Sequence, residues 1–251
     1  KVSEFISKKD NKKTFVFRVH EEPQHEKIKE LQNISKKFGY YLNIKTKQKT
    51  LESINKLLKE IKGKKEQNFI DTLAIRSMSK AIYTTNNIGH YGLSFDYYTH
   101  FTSPIRRYPD IIAHRLLQHY LDKKRSPNKN QIEEKMKHCT VKEILATKAE
   151  RQSIKFMQVM YISKELGNRF KGVISGVVER GIYVEIEENK CEGMVNIRNF
   201  PKGYFSYDES NYSFEDEDKK LIFQLGDSVF IEVISTDIIK RHIDFKLIGH
   251  A

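Results

Sequence analysis

The chain is poor in the features that would mark a secreted or membrane-spanning protein. Only two cysteines, Cys139 and Cys191, occur in 251 residues. They lie far apart and without metal-ligand spacing, which removes a disulfide framework and a zinc motif and leaves two reduced thiols. No stretch approaches the roughly 18 apolar residues of a membrane span. The first residues lack the charged, apolar and small-residue succession of a signal peptide. The expected location is therefore cytoplasmic, with no membrane partner. There is no internal repeat, and no low-complexity tract beyond the acidic run at 215–218. Hydrophobic residues at 38% and aromatic ones at 11% are enough for a core and leave a polar surface.

What is abundant is positive charge, unevenly spread. The chain carries a formal net charge of +12. Residues 170–251 hold 10 Lys+Arg against 15 Asp+Glu, whereas residues 1–169 hold 35 against 18. A surface so basic favours a polyanion, with binding that weakens as salt rises.

Hydrophobic periodicity divides the chain near residue 167. The opening KVSEFISKKD reads as the end of a helix, and FVFRVH (15–20) as a strand. Pro23 introduces a helix carrying Ile28, Leu31, Ile34 and Phe38, closed by Gly39. Leu51, Ile54, Leu57, Leu58 and Ile61 make a second helix, closed by Gly63. Phe69, Leu73, Met78 and Ile82 predict a third over 65–84. SPNKN (126–130) reads as a loop followed by a short helix. Thr140 and Glu143 then form a capping box that starts a long helix to about Leu166, ended by Gly167 and Asn168. Beyond 170 the period changes to that of strands: FKGVISGVV, GIYVEI, CEGMVNI, DSVFIEVIS and RHIDFKLI, with a long insertion before the fourth. The expected fold class is α+β: a mainly helical domain (1–167), then a five-stranded antiparallel OB-type β-barrel (168–251).

The most informative segment is 90–115, HYGLSFDYYTHFTSPIRRYPDIIAHR. Ser103 as N-cap and Pro104 at the first helical position would open a helix with Arg106 and Arg107 in its first turn. Ile105, Tyr108, Ile112, Leu116 and Tyr120 follow helical spacing. Free backbone donors, the positive end of a helix dipole and two guanidinium groups would then face one spot, which suits a phosphate. The run TSPIRRYPD (102–110), flanked by GHYGL and HRLL, resembles the signature of the RNB family of processive 3′-to-5′ exoribonucleases. It is closer to the ribonuclease R branch than to the ribonuclease II branch. Residues Gly172, Val173, Gly181, Tyr183, Val184, Glu192, Gly193, Val195, Gly226 and Asp227 resemble the RNA-binding OB domain that recurs in the largest protein of the small ribosomal subunit. Ribonuclease R ends with these two parts in this order.

The resemblance implies hydrolysis of single-stranded RNA from its 3′ end to nucleoside 5′-monophosphates. It also implies magnesium held by a cluster of aspartates that lies N-terminal to the matching segment. Metal-dependent phosphoryl chemistry needs such carboxylates to fix the cation and orient the attacking water. None of the acidic pairs here replaces it: Glu21–Glu22 and Glu133–Glu134 point to different sides, and Glu215–Asp218 reads as a solvated loop. This chain is thus expected to bind RNA without cleaving it. RNA is the implied partner, and the ribosome or RNA-decay machinery are further ones the resemblance admits.

By the same resemblance Arg106 is the catalytic arginine that steadies charge on the phosphate near the scissile bond, a task suited to a fork that never deprotonates. Glu150 matches a glutamate that contacts the 3′-terminal nucleotide. Arg107 is read as an RNA-backbone contact or a structural residue. Tyr97, Tyr98, His100 and Phe101 read as core rather than as base-stacking platforms, and so do Tyr108, His114, Met157 and Met160. Asp110 is expected to pair with a nearby arginine or cap an element. On the barrel, Tyr183 and Arg198 are the RNA-binding candidates of strands two and three, with Lys171 and Lys202 as backbone contacts. Tyr204, Phe205 and Tyr207 either stack on bases or anchor the insertion. Because the barrel is acidic, most of the affinity is expected from the first domain. The competing reading is a non-catalytic RNA-binding adaptor that keeps the barrel.

Overall fold

The computed structural model describes residues 1–9, 13–64, 66–217 and 221–251. The chain forms two compact units, Lys1–Gln24 with Met78–Ala149, and His25–Ser77 with Glu150–Ala251.

In the first unit, helix α1 (Val2–Lys9) precedes strand β1 (Phe17–Val19), which pairs antiparallel with β2 (Ile82–Thr84). Helix α5 (Tyr108–Leu121) and the first part of α6 (Lys129–Ile162) complete it. One cluster forms the core, with Phe15, Phe17, Val19, Tyr83, Ile112, Leu116 and Met136 all buried. Two expectations fail in this unit. The third predicted helix ends earlier, and Ile82 belongs to a strand, because residues 82–84 find a backbone partner in β1. The predicted break before residue 140 is absent, since α6 runs unbroken for 34 residues. Thr140 does not cap: its hydroxyl donates to the Met136 carbonyl (3.1 Å) and accepts the Tyr83 N–H (3.0 Å). Glu143 pairs with Arg18 instead (2.6 Å).

In the second unit, α2 (His25–Lys37), α3 (Lys47–Glu60) and α4 (Gln67–Ser77) bury Leu31, Ile34, Ile54, Leu57, Phe69 and Leu73. The Thr46 hydroxyl caps α3 by accepting the Lys49 N–H (3.3 Å). The five expected strands are present as β3 (Arg169–Val178), β4 (Gly181–Ile186), β5 (Glu192–Asn196), β9 (Ser228–Asp237) and β10 (His242–His250). They close a barrel in the order β10-β5-β4-β3-β9. It is not wholly antiparallel, because β10 runs parallel to β5 at Asp244↔Met194 and Phe245↔Val195. Alternation along β4 places Ile182, Val184 and Ile186 inside and Tyr183 outside. The insertion is not a bare loop either. It folds as a three-stranded sheet of β6 (Phe205–Asp208), β7 (Ser213–Asp216) and β8 (Ile222–Gln224) around buried Phe214 and Phe223. Glu215 and Asp216 lie on β7, while Asp218 is outside the described residues.

Helices α2 and α4 belong with the barrel because specific contacts join them. The Tyr212 hydroxyl donates to Glu30, the Lys37 amine to Asn211, and the Phe69 and Tyr212 rings meet edge to face at 6.3 Å. Gly226, at φ +93°, brings its backbone so close that a Cβ there would lie 2.7 Å from the Phe69 nitrogen. Only glycine satisfies both demands.

Candidate nucleic-acid interface

The two adjacent arginines of the signature run have opposite fates. Helix α5 starts at Tyr108, later than expected, with Arg107 as a residue that caps without a side-chain hydrogen bond and Pro109 in the first turn. Pro109, not Pro104, occupies the position where a missing N–H is harmless. Residues 103–107 form a turn in which the Ser103 carbonyl accepts the N–H groups of Arg106 (3.3 Å) and Arg107 (3.0 Å). Asp110, fully buried at 0% exposure, locks this turn from the first helical turn. Its Oδ2 accepts the Ser103 N–H (2.8 Å) and the Arg107 Nη2 (2.9 Å). Arg107 is thus a structural cation. Arg106 is exposed, and its guanidinium has no partner among the described residues. Ile105, expected on the apolar face, is 101% exposed, and Tyr108 is exposed too; Ile112, Leu116 and Tyr120 are buried as the spacing predicts.

Behind the turn sits a layer of rings. The Tyr83 hydroxyl and His100 Nδ1 share a hydrogen bond of 2.8 Å. Burial, with Arg107 and Arg18 nearby, drives the His100 pKa down to about 4, so the ring is neutral at physiological pH. Burial likewise pushes the Tyr83 hydroxyl up to about 12. Phe101 stacks on His114 at 3.9 Å, and Tyr97 and Phe101 pack against the core. These aromatics are packed as expected, although His114 itself is exposed. Sequence reasoning passed over Arg18, whose side chain is 14% exposed and lies 4.4 Å from the Tyr83 ring centroid. An arginine set between apolar Phe17 and Val19 in FVFRVH was the available signal.

In the second unit Glu150 is exposed on α6 and its carboxylate has no partner among the described residues. Met157 and Met160 are exposed rather than core. On the barrel, Tyr183 stands outward on β4 opposite Met194. Arg198 follows β5 in a short 3-10 turn at the same end of the β4–β5 pair, where Gly181 faces Asn196. Lys171 lies roughly 15 Å away along β3 by strand rise and pairs with Glu187 (3.4 Å). Tyr183 and Arg198 therefore lie towards one end of the β4–β5 pair and Lys171 towards the other. Lys202 is exposed beyond the 3-10 turn. Of the insertion aromatics, Phe205 packs on Phe200 and Phe223, and Tyr207 on Phe214, so both anchor the sheet. Tyr204 is 80% exposed. Among the described residues no group of three or more His, Cys, Asp or Glu side chains is placed to hold a metal ion.

Residues 1–123 match the family described as RNB domain, and residues 163–247 match the S1 RNA binding domain. The chain is 35% identical over 236 residues to a Ribonuclease R of Aquifex aeolicus, covering 93% of this chain and 33% of that protein. It is 37% identical over 242 residues to a Ribonuclease R of Thermotoga maritima, covering 93% and 34%. The chain thus spans about a third of the length of these relatives. The Mycoplasma genitalium RNase R structures, apo and in complex with ribose methylated single-stranded RNA, both superpose with a TM-score of 0.86 at 26% identity. They cover 98% of this chain and 39% of that one. With an RNB match leading into an S1 RNA binding domain and relatives of one name along nearly all of its length, this chain belongs to the RNB ribonuclease family, on its ribonuclease R side.

Proposed function

We propose that this chain is the RNA-gripping part of a processive 3′-to-5′ exoribonuclease that degrades single-stranded RNA to nucleoside 5′-monophosphates. The observation that carries this reading is Arg106: exposed and unpartnered, on a turn that Asp110 and Arg107 hold rigid. A preset guanidinium costs little to reorganise as negative charge grows on a phosphate. Residues 1–167 would belong to the RNB catalytic domain and residues 168–251 to an OB-type RNA-binding barrel. In that barrel Tyr183 offers a ring to a base, while Arg198, Lys202 and Lys171 offer cations to phosphates. Glu150 would meet the 3′-terminal nucleotide, and Arg107 acts on RNA only through the turn it braces. Cytoplasmic RNA is the substrate this reading assigns, with the ribosome or the decay machinery as partners.

The family's divalent ion, magnesium in this proposal, does not fit the carboxylates described here, which are scattered over separate elements. In this proposal the ion would be held by aspartates outside this chain. The isolated chain should accordingly bind a labelled 3′-tailed RNA in magnesium buffer and leave it intact. Shortened products would overturn that. In the polypeptide that also carries the magnesium-binding aspartates, Arg106→Ala should lower turnover on the order of 100-fold or more while changing RNA affinity far less. Equal losses in both would reduce Arg106 to a binding residue.

A further inference from the structure

The barrel alone is an odd RNA binder, because residues 170–251 carry more acid than base. The helical segment packed with it has the opposite balance. Residues 25–77 hold 13 Lys+Arg against 6 Asp+Glu, and they belong to the same compact unit. At one place this basic segment reaches the ring assigned to base stacking. Arg76, in the last turn of α4, is exposed and donates from Nη2 to the Ser175 carbonyl on β3 (3.0 Å). There the β3–β4 register shifts between Ile174 and Gly176, the mark of a bulge. Bulges re-aim side chains. Gly176 is buried beneath its neighbours there. A Cβ at this position would lie 3.3 Å from the Tyr183 ring and 3.8 Å from Arg76 Nη2. The ring and the guanidinium therefore meet over one buried glycine, and most of the five donors of Arg76 remain free for another ligand.

We infer that Arg76, Gly176 and Tyr183 form a composite single-stranded RNA site in which Tyr183 stacks on a base and Arg76 holds a phosphate of the same strand. The basic helices α2–α4 are then part of the RNA-binding surface, and the barrel does not bind alone. This inference rests on the RNA-binding reading above and adds a helical contributor to it. The chemistry is that of sequence-tolerant binders: an aromatic platform for any base beside a cation for the backbone.

The test uses this chain and a fluorescently labelled single-stranded oligoribonucleotide of mixed sequence, with affinity followed by anisotropy at stepped salt. Arg76→Gln should weaken binding three- to ten-fold and flatten the plot of log affinity against log salt by about 0.7, one single-strand phosphate contact. Tyr183→Ala should weaken binding roughly five-fold or more with the salt slope unchanged, as loss of stacking requires. Arg76→Lys should recover the slope. Gly176→Val, which pushes the ring and the guanidinium aside without touching charge, should weaken binding and serves as the deciding variant if Arg76→Gln fails to fold. A folded Arg76→Gln or Gly176→Val chain with unchanged affinity and slope overturns the composite site while leaving the RNA-binding reading intact. Failure of the unsubstituted chain to bind RNA overturns the reading beneath it.

Discussion

The signature turn and the barrel present their candidate RNA-contacting side chains to solvent by different physical means. In the turn, two consecutive arginines are sorted by one buried carboxylate: Asp110 takes Arg107 into the structure and leaves Arg106 outside. In the barrel no charge does the sorting. Strand alternation puts Tyr183 outside and Ile182 and Val184 inside, and the apolar interior holds the register. A site held by a buried charge fails when that charge is removed. A site held by alternation tolerates changes at its exposed residues and fails through its core or its glycines.

The largest effect expected from this contrast comes from truncation. Deleting 168–251 removes Tyr212 from Phe69 and the barrel from Arg76. Helices α2–α4 should then lose cooperative unfolding, seen as a missing transition in thermal circular dichroism. A remnant that melts as sharply as the whole would show that the two parts are independent. Next comes Asp110→Ala, which strands a half-buried arginine and frees the turn. Breaking such a pair from one side costs about 3–5 kcal/mol, measurable by urea unfolding. In any longer polypeptide that shows the proposed nuclease activity, the milder Asp110→Asn should lower turnover, yet add little to the loss caused by Arg106→Ala. Multiplying losses in that double mutant would deny the bracing role.

Gly226→Ala should destabilise the second unit by about 2 kcal/mol, from the positive φ and the close approach to Phe69. An alanine tolerated there would mean that α4 can withdraw from the barrel freely.

Acid separates the two regions further. His100 titrates near 4 in the folded first unit against an ordinary 6.5. The unfolded chain therefore takes its proton first, and that unit's stability falls as pH drops from about 6.5 to about 4, then levels off. Burial raises the Asp227 carboxyl in the second unit, so its folded form protonates before the unfolded one and acid relieves a penalty present at neutral pH. Thermal melts at stepped pH should show the first unit weakening over that window, and His100→Gln should flatten the trend. The smallest change belongs to Lys202→Ala, which should leave stability within about 0.5 kcal/mol and shift only the salt dependence of RNA binding.

Much of this was legible without coordinates. The amphipathic spacings of α2 and α3, the five barrel strands and the TSPIRRYPD run are local patterns, and the chain folds along them. Boundaries that depend on remote partners were not legible. The pairing of β2 with β1 cut short the third helix, and Tyr83 drew Thr140 away from a cap. The segregation of charge was visible as counts, but not that basic helices 25–77 pack with the acidic barrel.

The sequence by itself determined the family, the types of the long helices and barrel strands, and the arginine pair, since these follow from neighbours within a few positions. Only the tertiary structure decided which arginine faces solvent, that Asp110 braces the turn, and that Arg76 meets Tyr183 across Gly176. Those outcomes depend on which buried polar groups find partners and which backbones approach closely. The Arg76 contact joins residues 99 positions apart, where no local periodicity reaches, and the Asp110 contacts, though only three and seven positions long, are fixed by burial rather than by spacing.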